Sequence, residues 1–252
     1  MSAVAFSLPQ ELCVILVRPR NPLNIGAVAR AMANFGASQL RLVAPYDLAF
    51  REARSAVGAG ELLARAEVYP SVAEAVADCA LVVGTTAATN RSLGLPLTTL
   101  PAAAPQIIAA ADTGKVALLF GSEKRGLTNQ DMSYCHWLMR IPTTQPSPSM
   151  NLAQSVVVVL YELARTRNQT PARAESEAMP AGDRAANMQS LLRLAEVMHE
   201  TLEACGYYSE AAAASSQEQL RRLLLRMKLS EADAEIVLGM FRQILWKLGR
   251  VP

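Results

Sequence analysis

Two uninterrupted apolar runs, Leu12–Val17 (LCVILV) and Val116–Phe120 (VALLF), constrain the fold more than any other feature of the chain. A strand with one wet face alternates apolar and polar residues, whereas a strand with no polar position is covered on both faces. Residues 40–43, 68–69, 81–83 and 138–141 read as further short strands. Helical patterns lie between them. Residues 24–35 place Ile25, Val28, Ala29, Met32 and Phe35 on one face, and Ser71-Val-Ala-Glu74 is a capping box opening a helix to Asp78. Strands alternating with helices imply βαβ units. The expected fold class is therefore α/β, a mostly parallel sheet with helices on both faces. Ligands in such sheets bind beyond the carboxyl ends of the strands.

Residues 151–165 (NLAQSVVVVLYELAR) combine a valine run with helical spacing. One stripe is Leu152, Val156, Val159, Leu160 and Leu163; a second is Ala153, Val157, Tyr161 and Ala164. A helix apolar on two sides is buried on two sides. One face is expected to meet the sheet and the other a second subunit. Residues 168–182 are polar, proline-bearing and poor in large apolar side chains, as a linker is. Three amphipathic helical patterns follow, the last starting at Ser230 with Asp233 as capping partner. The expected division is a first domain over 1–168, a linker over 169–182 and a small all-α extension over 183–252.

Composition removes several function classes. Twenty-four basic against 22 acidic residues leave a net charge of +2, too little to announce a nucleic-acid binder by charge alone. Residues 1–170 carry +3 and residues 171–252 carry −1. Four cysteines without a CxxC pair argue against a disulfide framework or zinc ribbon, and fit a reducing cytoplasm. Two histidines, His136 and His199, leave little material for a zinc hydrolase or a Ser-His-Asp triad, and no metal site is expected. No targeting segment stands at the N-terminus. The uncharged windows 92–111 and 141–161 are too rich in proline or polar residues to span a membrane. A soluble, cytoplasmic protein without membrane association is the expectation.

Familiar nucleotide motifs are missing. The chain has no GxxxxGK[ST] and no GxSxG, and its one GxG, Gly58-Ala59-Gly60, follows no convincing strand. Adjacent Cys135 and His136 do not share a face and read as structural. Three other clusters each sit where a strand ends. In the first, 21–30, Asn24 reads as a helix N-cap and Arg30 lies off the apolar face, one turn after Gly26. In the second, 119–129, Gly121 and Gly126 bracket Glu-Lys-Arg, and Thr128 caps a helix. In the third, 141–151, three prolines stiffen a loop that ends in Ser149 and Asn151. Each has a plain reading as well: a solvated arginine, a tight βα turn, an N-cap series.

Taken in this order, the segments 24–31 (NIGAVARA), 118–129 (LLFGSEKRGLTN) and 141–154 (IPTTQPSPSMNLAQ) resemble the SPOUT superfamily of methyltransferases, in the branch that methylates ribose 2′-hydroxyls of RNA. Val83-Gly-Thr-Thr-Ala87 resembles that family's additional cofactor loop. Residues 199–208 and 221–241 are similar to the helical extension of members acting on tRNA at anticodon-loop nucleotide 32, cytidine or uridine. The resemblance implies a C-terminal trefoil knot in the catalytic domain, which no periodicity reveals. It implies S-adenosylmethionine as cofactor, held by Thr85, Thr86, Ala87, Gly121, Ile141, Pro148, Ser149 and Met150. It also implies a homodimer with the active site at the subunit interface.

The catalytic set implied is Arg30, Asn24, Ser149, Asn151 and Glu123. Arginine keeps its proton in proteins, so Arg30 reads as a positioner of phosphate and hydroxyl rather than a base. Asn24, Ser149 and Asn151 would orient the ribose and Arg30, and Glu123 would order its loop. Met150 stands where many relatives have leucine, a volume-conserving change. The implied partner is tRNA, with Arg18, Arg20, Arg30, Arg54 and Arg91 candidates for one RNA-facing surface. Competing readings are the same chemistry on ribosomal RNA or another tRNA position, and a non-catalytic RNA-binding module. A nucleotide-binding oxidoreductase is more distant.

Overall fold

The computed structural model describes residues 8–46, 58, 60–87, 95–144, 146–169, 184–208 and 213–249. Seven strands form one sheet: β1 (Leu12–Val17), β2 (Gln39–Val43), β3 (Glu67–Tyr69), β4 (Leu81–Thr85), β5 (Leu97–Thr99), β6 (Val116–Phe120) and β7 (Trp137–Arg140). Their order is β3-β2-β1-β6-β4-β7-β5, and every neighbouring pair is parallel. The central pair β1 and β6 are the two wholly apolar runs, and every residue of both is buried.

Side-chain alternation sorts the helices. Leu12, Val14 and Leu16 of β1, with Val116, Leu118 and Phe120 of β6, point into one core, shared with α1 (Pro22–Asn34), α4 (Leu100–Ala111) and α6 (Leu152–Gln169). Cys13, Ile15 and Val17, with Ala117 and Leu119, point into the other. Short helices α3 (Val72–Ala75) and α5 (Asn129–Met132) contribute there, together with α7 (Met188–Ala204), α8 (Ala213–Met227) and α9 (Glu231–Lys247). Met188 and Leu191 of α7, Leu225 of α8 and Ala234 of α9 are buried in this second core. The start of α7 is tied to the connection between α3 and β4 as well, Met188 and Gln189 donating their N–H to the carbonyls of Cys79 and Ala77. Short helix α2 (Gly60–Ala64) completes the helical set among the described residues.

Several elements differ from the sequence expectation, each for a local reason. The cap of α1 is Asn21, whose side chain accepts from the Leu23 N–H, not Asn24, which lies in the first turn; Pro22 at the start of the helix sets that boundary. The window 92–111 holds a strand and a helix, β5 and α4. Pro101 falls in the first turn of α4, where its missing N–H costs nothing, whereas Pro105 stands inside the helix. Helix α3 ends at Ala75 rather than Asp78, and α6 continues to Gln169, into the expected linker. Residues 170–182, the rest of that linker, lie outside the described residues. The cap of α9 falls at Ser230, as the spacing requires, with the Asp233 N–H donating to its hydroxyl.

Arg41, in the middle of β2, is nearly buried and gripped by groups at or before the amino ends of β3 and β4: Asp78 through two nitrogens at 2.6 and 2.8 Å, Glu67 at 3.0 Å and the Ala75 carbonyl. Lys115 reaches Asp78 too. The hydrogen bond from Arg41 holds the Asp78 carboxyl well below the ordinary carboxylate range. These charges sit at the opposite end of the sheet from the clusters picked out in the sequence.

His136 extends the ladder between β4 and β7 by unusual means. Its N–H donates to the Val82 carbonyl, and its Nδ1 accepts from the Val82 N–H at 3.0 Å, in place of a backbone oxygen. An imidazole that accepts must be neutral there, and desolvation lowers its pKa from 6.5 to about 4. On acidification the unfolded chain takes up this proton first, so the native state is expected to lose stability as pH falls from about 6.5 towards 4. Urea unfolding at pH 7 and 4.5 checks this: His136→Leu is less stable at pH 7 and loses less between the two.

Candidate functional site

The carboxyl ends of β4, β6 and β7 surround a cavity of about 330 Å³, within the range typical of small-molecule sites, about 300–1,000 Å³. Three loops wall it. The first follows β4 and brings Thr85, Thr86 and Ala87. The second follows β6 and brings Gly121 through Leu127. The third follows β7 and brings Ile141, Pro148, Ser149 and Met150. All eight residues named from sequence as cofactor contacts line this one cavity, although they come from three segments up to 65 positions apart. Phe120, Ser122, Lys124, Arg125, Met139 and Ser155 line it too and were not named as contacts; the first four lie inside the quoted 118–129 motif.

Each loop is shaped by a specific bond. Thr85 donates its hydroxyl to the Leu119 carbonyl at 2.9 Å, joining the first loop to β6. The Thr86 N–H donates to the Met139 carbonyl, and the Thr143 hydroxyl donates to the Pro148 carbonyl. In the second loop the chain folds back on itself, with the Gly126 N–H donating to Ser122 at 2.8 Å. Gly121 makes that turn possible by close approach: a Cβ there would lie 2.0 Å from the Gly126 carbonyl carbon and 2.1 Å from the Leu127 nitrogen. Gly126 has a different reason, a φ of +66° in open space.

Beside the cavity, one residue from each sequence cluster joins a single network. Asn151 Nδ2 donates to Asn24 Oδ1 at 3.1 Å, and Asn24 Nδ2 donates to Glu123 Oε1 at 2.9 Å. Asn151 uses its own oxygen to cap α6, accepting from Ala153 N–H at 2.9 Å. Glu123 also receives the main-chain N–H groups of Arg20 and Asn21, at 3.0 and 3.2 Å. Desolvation pushes the Glu123 carboxyl up, but these hydrogen bonds, Asn24 foremost, outweigh it and hold the group below its ordinary value. An ionised acceptor thus pins the starts of α1 and α6 to the second loop. Arg18 adds another tie, pairing with the buried Asp131, which also closes the Thr128 capping box of α5.

Arg30 stands apart. It is exposed on α1, does not line the cavity, and makes no ion pair or hydrogen bond among the described residues. It shares the open face of α1 with Leu23, which is 55% exposed. On the neighbouring α6, Val157 and Tyr161 of the second apolar stripe are 41% and 51% exposed, while Ala153 and Ala164 are buried. Tyr161 packs edge-on against Phe35. Arg54 and Arg91 lie outside the described residues. Cys135 and His136 are structural, the thiol buried and the imidazole in the ladder. No helix among the described residues is long and apolar enough to cross a membrane.

Comparison with known proteins agrees with this architecture. The model of the SpoU rRNA Methylase family matches residues 11–161. The chain is 32% identical over 241 residues to the tRNA (cytidine/uridine-2′-O-)-methyltransferase TrmJ of Escherichia coli (strain K12), covering 93% of this chain and 95% of that one. Its structure is similar to the crystal structure of TrmJ from Z. mobilis ZM4, with a TM-score of 0.78, 32% identity, and 92% and 98% of the two chains covered. It also resembles a probable methylase family protein from Haemophilus influenzae Rd KW20, with a TM-score of 0.60, 28% identity, and 96% and 99% covered.

Proposed function

The chain is a methyltransferase of the SpoU rRNA Methylase family, and from that membership we propose that it methylates the ribose 2′-hydroxyl of nucleotide 32 in the anticodon loop of tRNA, with S-adenosylmethionine as donor. The observation that carries the reading is the joining of three separate clusters into one network, Asn151–Asn24–Glu123, at the rim of one cavity. The residues present fit the donor. Leu127, Ile141 and Met150 offer apolar walls, Thr85, Thr86 and Ser149 offer hydroxyls, and Gly121 draws main chain close. When bound, it supplies an electrophilic methyl group carried on a sulfonium.

The chain's own residues then have three tasks. Glu123, through Asn24 and Asn151, holds the first turn of α1 and the start of α6 in register with the cavity. Ser149 and the two asparagines orient the ribose. Arg30 keeps its charge and offsets the alkoxide character that develops on the 2′-oxygen. Arg30 lies outside the cavity of its own subunit, on a face continuous with Leu23, Val157 and Tyr161, which supports a homodimer in which this arginine serves the partner's site. Val157→Asp and Tyr161→Asp together are expected to give a monomer at micromolar concentration with at least tenfold lower turnover; sedimentation velocity and methyl transfer read the two effects.

A trefoil knot belongs to the same reading. β7 lies between β4 and β5, which are consecutive in the chain, so the last strand occupies a place inside an earlier crossover. A cytoplasmic location fits four unpaired cysteines. Transfer RNA is preferred over ribosomal RNA because similarity to TrmJ continues past residue 161, where the family model stops, through the helices packed on the second sheet face. The deciding experiment is transfer of labelled methyl from S-adenosylmethionine to unmodified tRNA transcripts, with mapping of the 2′-O-methyl position. Label at nucleotide 32 supports the reading. Label at another position, or on ribosomal RNA alone, replaces it.

A further inference from the structure

We propose that Tyr46 and Arg20 form a stacking subsite for an unpaired nucleobase next to the ribose that reacts. The inference rests on the function proposed above and concerns two side chains, Tyr46 and Arg20, that the catalytic steps given there do not use. Tyr46 is 75% exposed, the most exposed large hydrophobic side chain among the described residues. The guanidinium of Arg20 sits over its ring, 5.2 Å from the centroid.

The pair is built into the site rather than scattered on the surface. β1 and β2 both end on non-glycine residues with left-handed backbone, Arg18 at φ 51° and Ala44 at φ 42°. That conformation is strained for an L-residue, so surrounding bonds must hold it. They do: the Arg18 N–H donates to Val43 at 2.8 Å, Ala44 to Tyr69 at 2.9 Å, and Tyr46 to Pro19 at 3.1 Å. The next residue, Arg20, gives its N–H to Glu123. Two bonds therefore separate the backbone of Tyr46 from the carboxylate that organises Asn24 and Asn151. Tyr46 follows the carboxyl end of β2, the same end of the sheet as the cavity, where Arg18 is part-exposed and Lys124 and Arg125, next to Glu123 in the chain, are exposed.

An exposed aromatic ring backed by a guanidinium is what an unstacked base recognises: every base has a π-face, and arginine adds a cation–π contact and a phosphate partner. Bases in a duplex are already stacked and gain nothing from such a surface. The subsite is accordingly selective for single-stranded or looped RNA, without requiring a particular base.

The test is steady-state methyl transfer to tRNA transcripts by Tyr46→Ala and Tyr46→Phe, with S-adenosylhomocysteine affinity and melting temperature measured alongside. Tyr46→Ala is expected to raise KM for tRNA about tenfold, with kcat and cofactor affinity within twofold of wild type. Tyr46→Phe keeps the ring and stays within twofold throughout. Abasic substitutions scanned across the nucleotides flanking the methylated ribose then locate the base. At one position the abasic RNA costs wild type what Tyr46→Ala costs, and costs the variant nothing more. An unchanged KM for Tyr46→Ala, or abasic losses that add fully to it at every position, overturns the subsite. Wild-type protein that methylates no tRNA overturns the function from which the inference starts, a distinct result.

Discussion

Arg30→Ala is expected to lower kcat for RNA methylation by about 10²–10³-fold, the scale of losing one group that stabilises developing negative charge. S-adenosylhomocysteine affinity and melting temperature should stay near wild type. Both halves follow from placement. Arg30 is exposed, makes no ion pair or hydrogen bond among the described residues, and does not line the cavity. Removing it leaves no buried group unpaired and no void. Arg30→Lys keeps a positive charge but not the planar fork, and should recover part of the turnover. Near-normal turnover in Arg30→Ala, measured with saturating tRNA, would remove this residue from the reaction.

Gly121→Ala should have the opposite signature: binding fails first. The added methyl would meet backbone at 2.0, 2.1 and 2.5 Å, atoms that cannot rotate away. The second loop must open, moving Glu123, Lys124 and Arg125 from the cavity wall and releasing the hold on Asn24. Overpacking costs about 1–3 kcal/mol when side chains can yield; here backbone must yield instead. Loss of cofactor binding by at least 100-fold, with a lower melting temperature, is the expected outcome by calorimetry. Gly126→Ala is the control. Its position has open space but a φ of +66°, so it should cost about 1 kcal/mol and leave binding measurable. If Gly121→Ala binds as well as Gly126→Ala, the close approach does not shape the cavity.

The difference between those two glycines was not legible in the sequence, where both simply bracket a charged turn. Local pattern revealed what local physics determines. The runs 12–17 and 116–120 could only be doubly covered strands, and Thr128 and Ser230 announced their caps. Prolines misled in both directions. Pro22 moved a cap from Asn24 to Asn21, and Pro101 and Pro105 disguised α4 among small residues that pack tightly against α6. The three site clusters were visible because each followed a strand. Their joining was not: Asn24, Glu123 and Asn151 are brought together only by the strand order, over separations of 99 and 127 residues. The grip of Asp78 on Arg41, and the seating of Tyr46 over Arg20, likewise depend on which strands are neighbours.

That strand order has a consequence for how the chain is made. β1 emerges from the ribosome about a hundred residues before its partner β6, and the slot between β4 and β5 stays open until β7 arrives. The second sheet face is then covered only by the short helices α3 and α5, because Met188, Leu191, Leu225 and Ala234 have yet to be synthesised. Growth from one end therefore cannot be matched by stepwise folding from that end. Long-range pairing of this kind is slow and leaves apolar surface open meanwhile. Full cover for both faces of β1 and β6 therefore comes only when α7, α8 and α9 have left the ribosome.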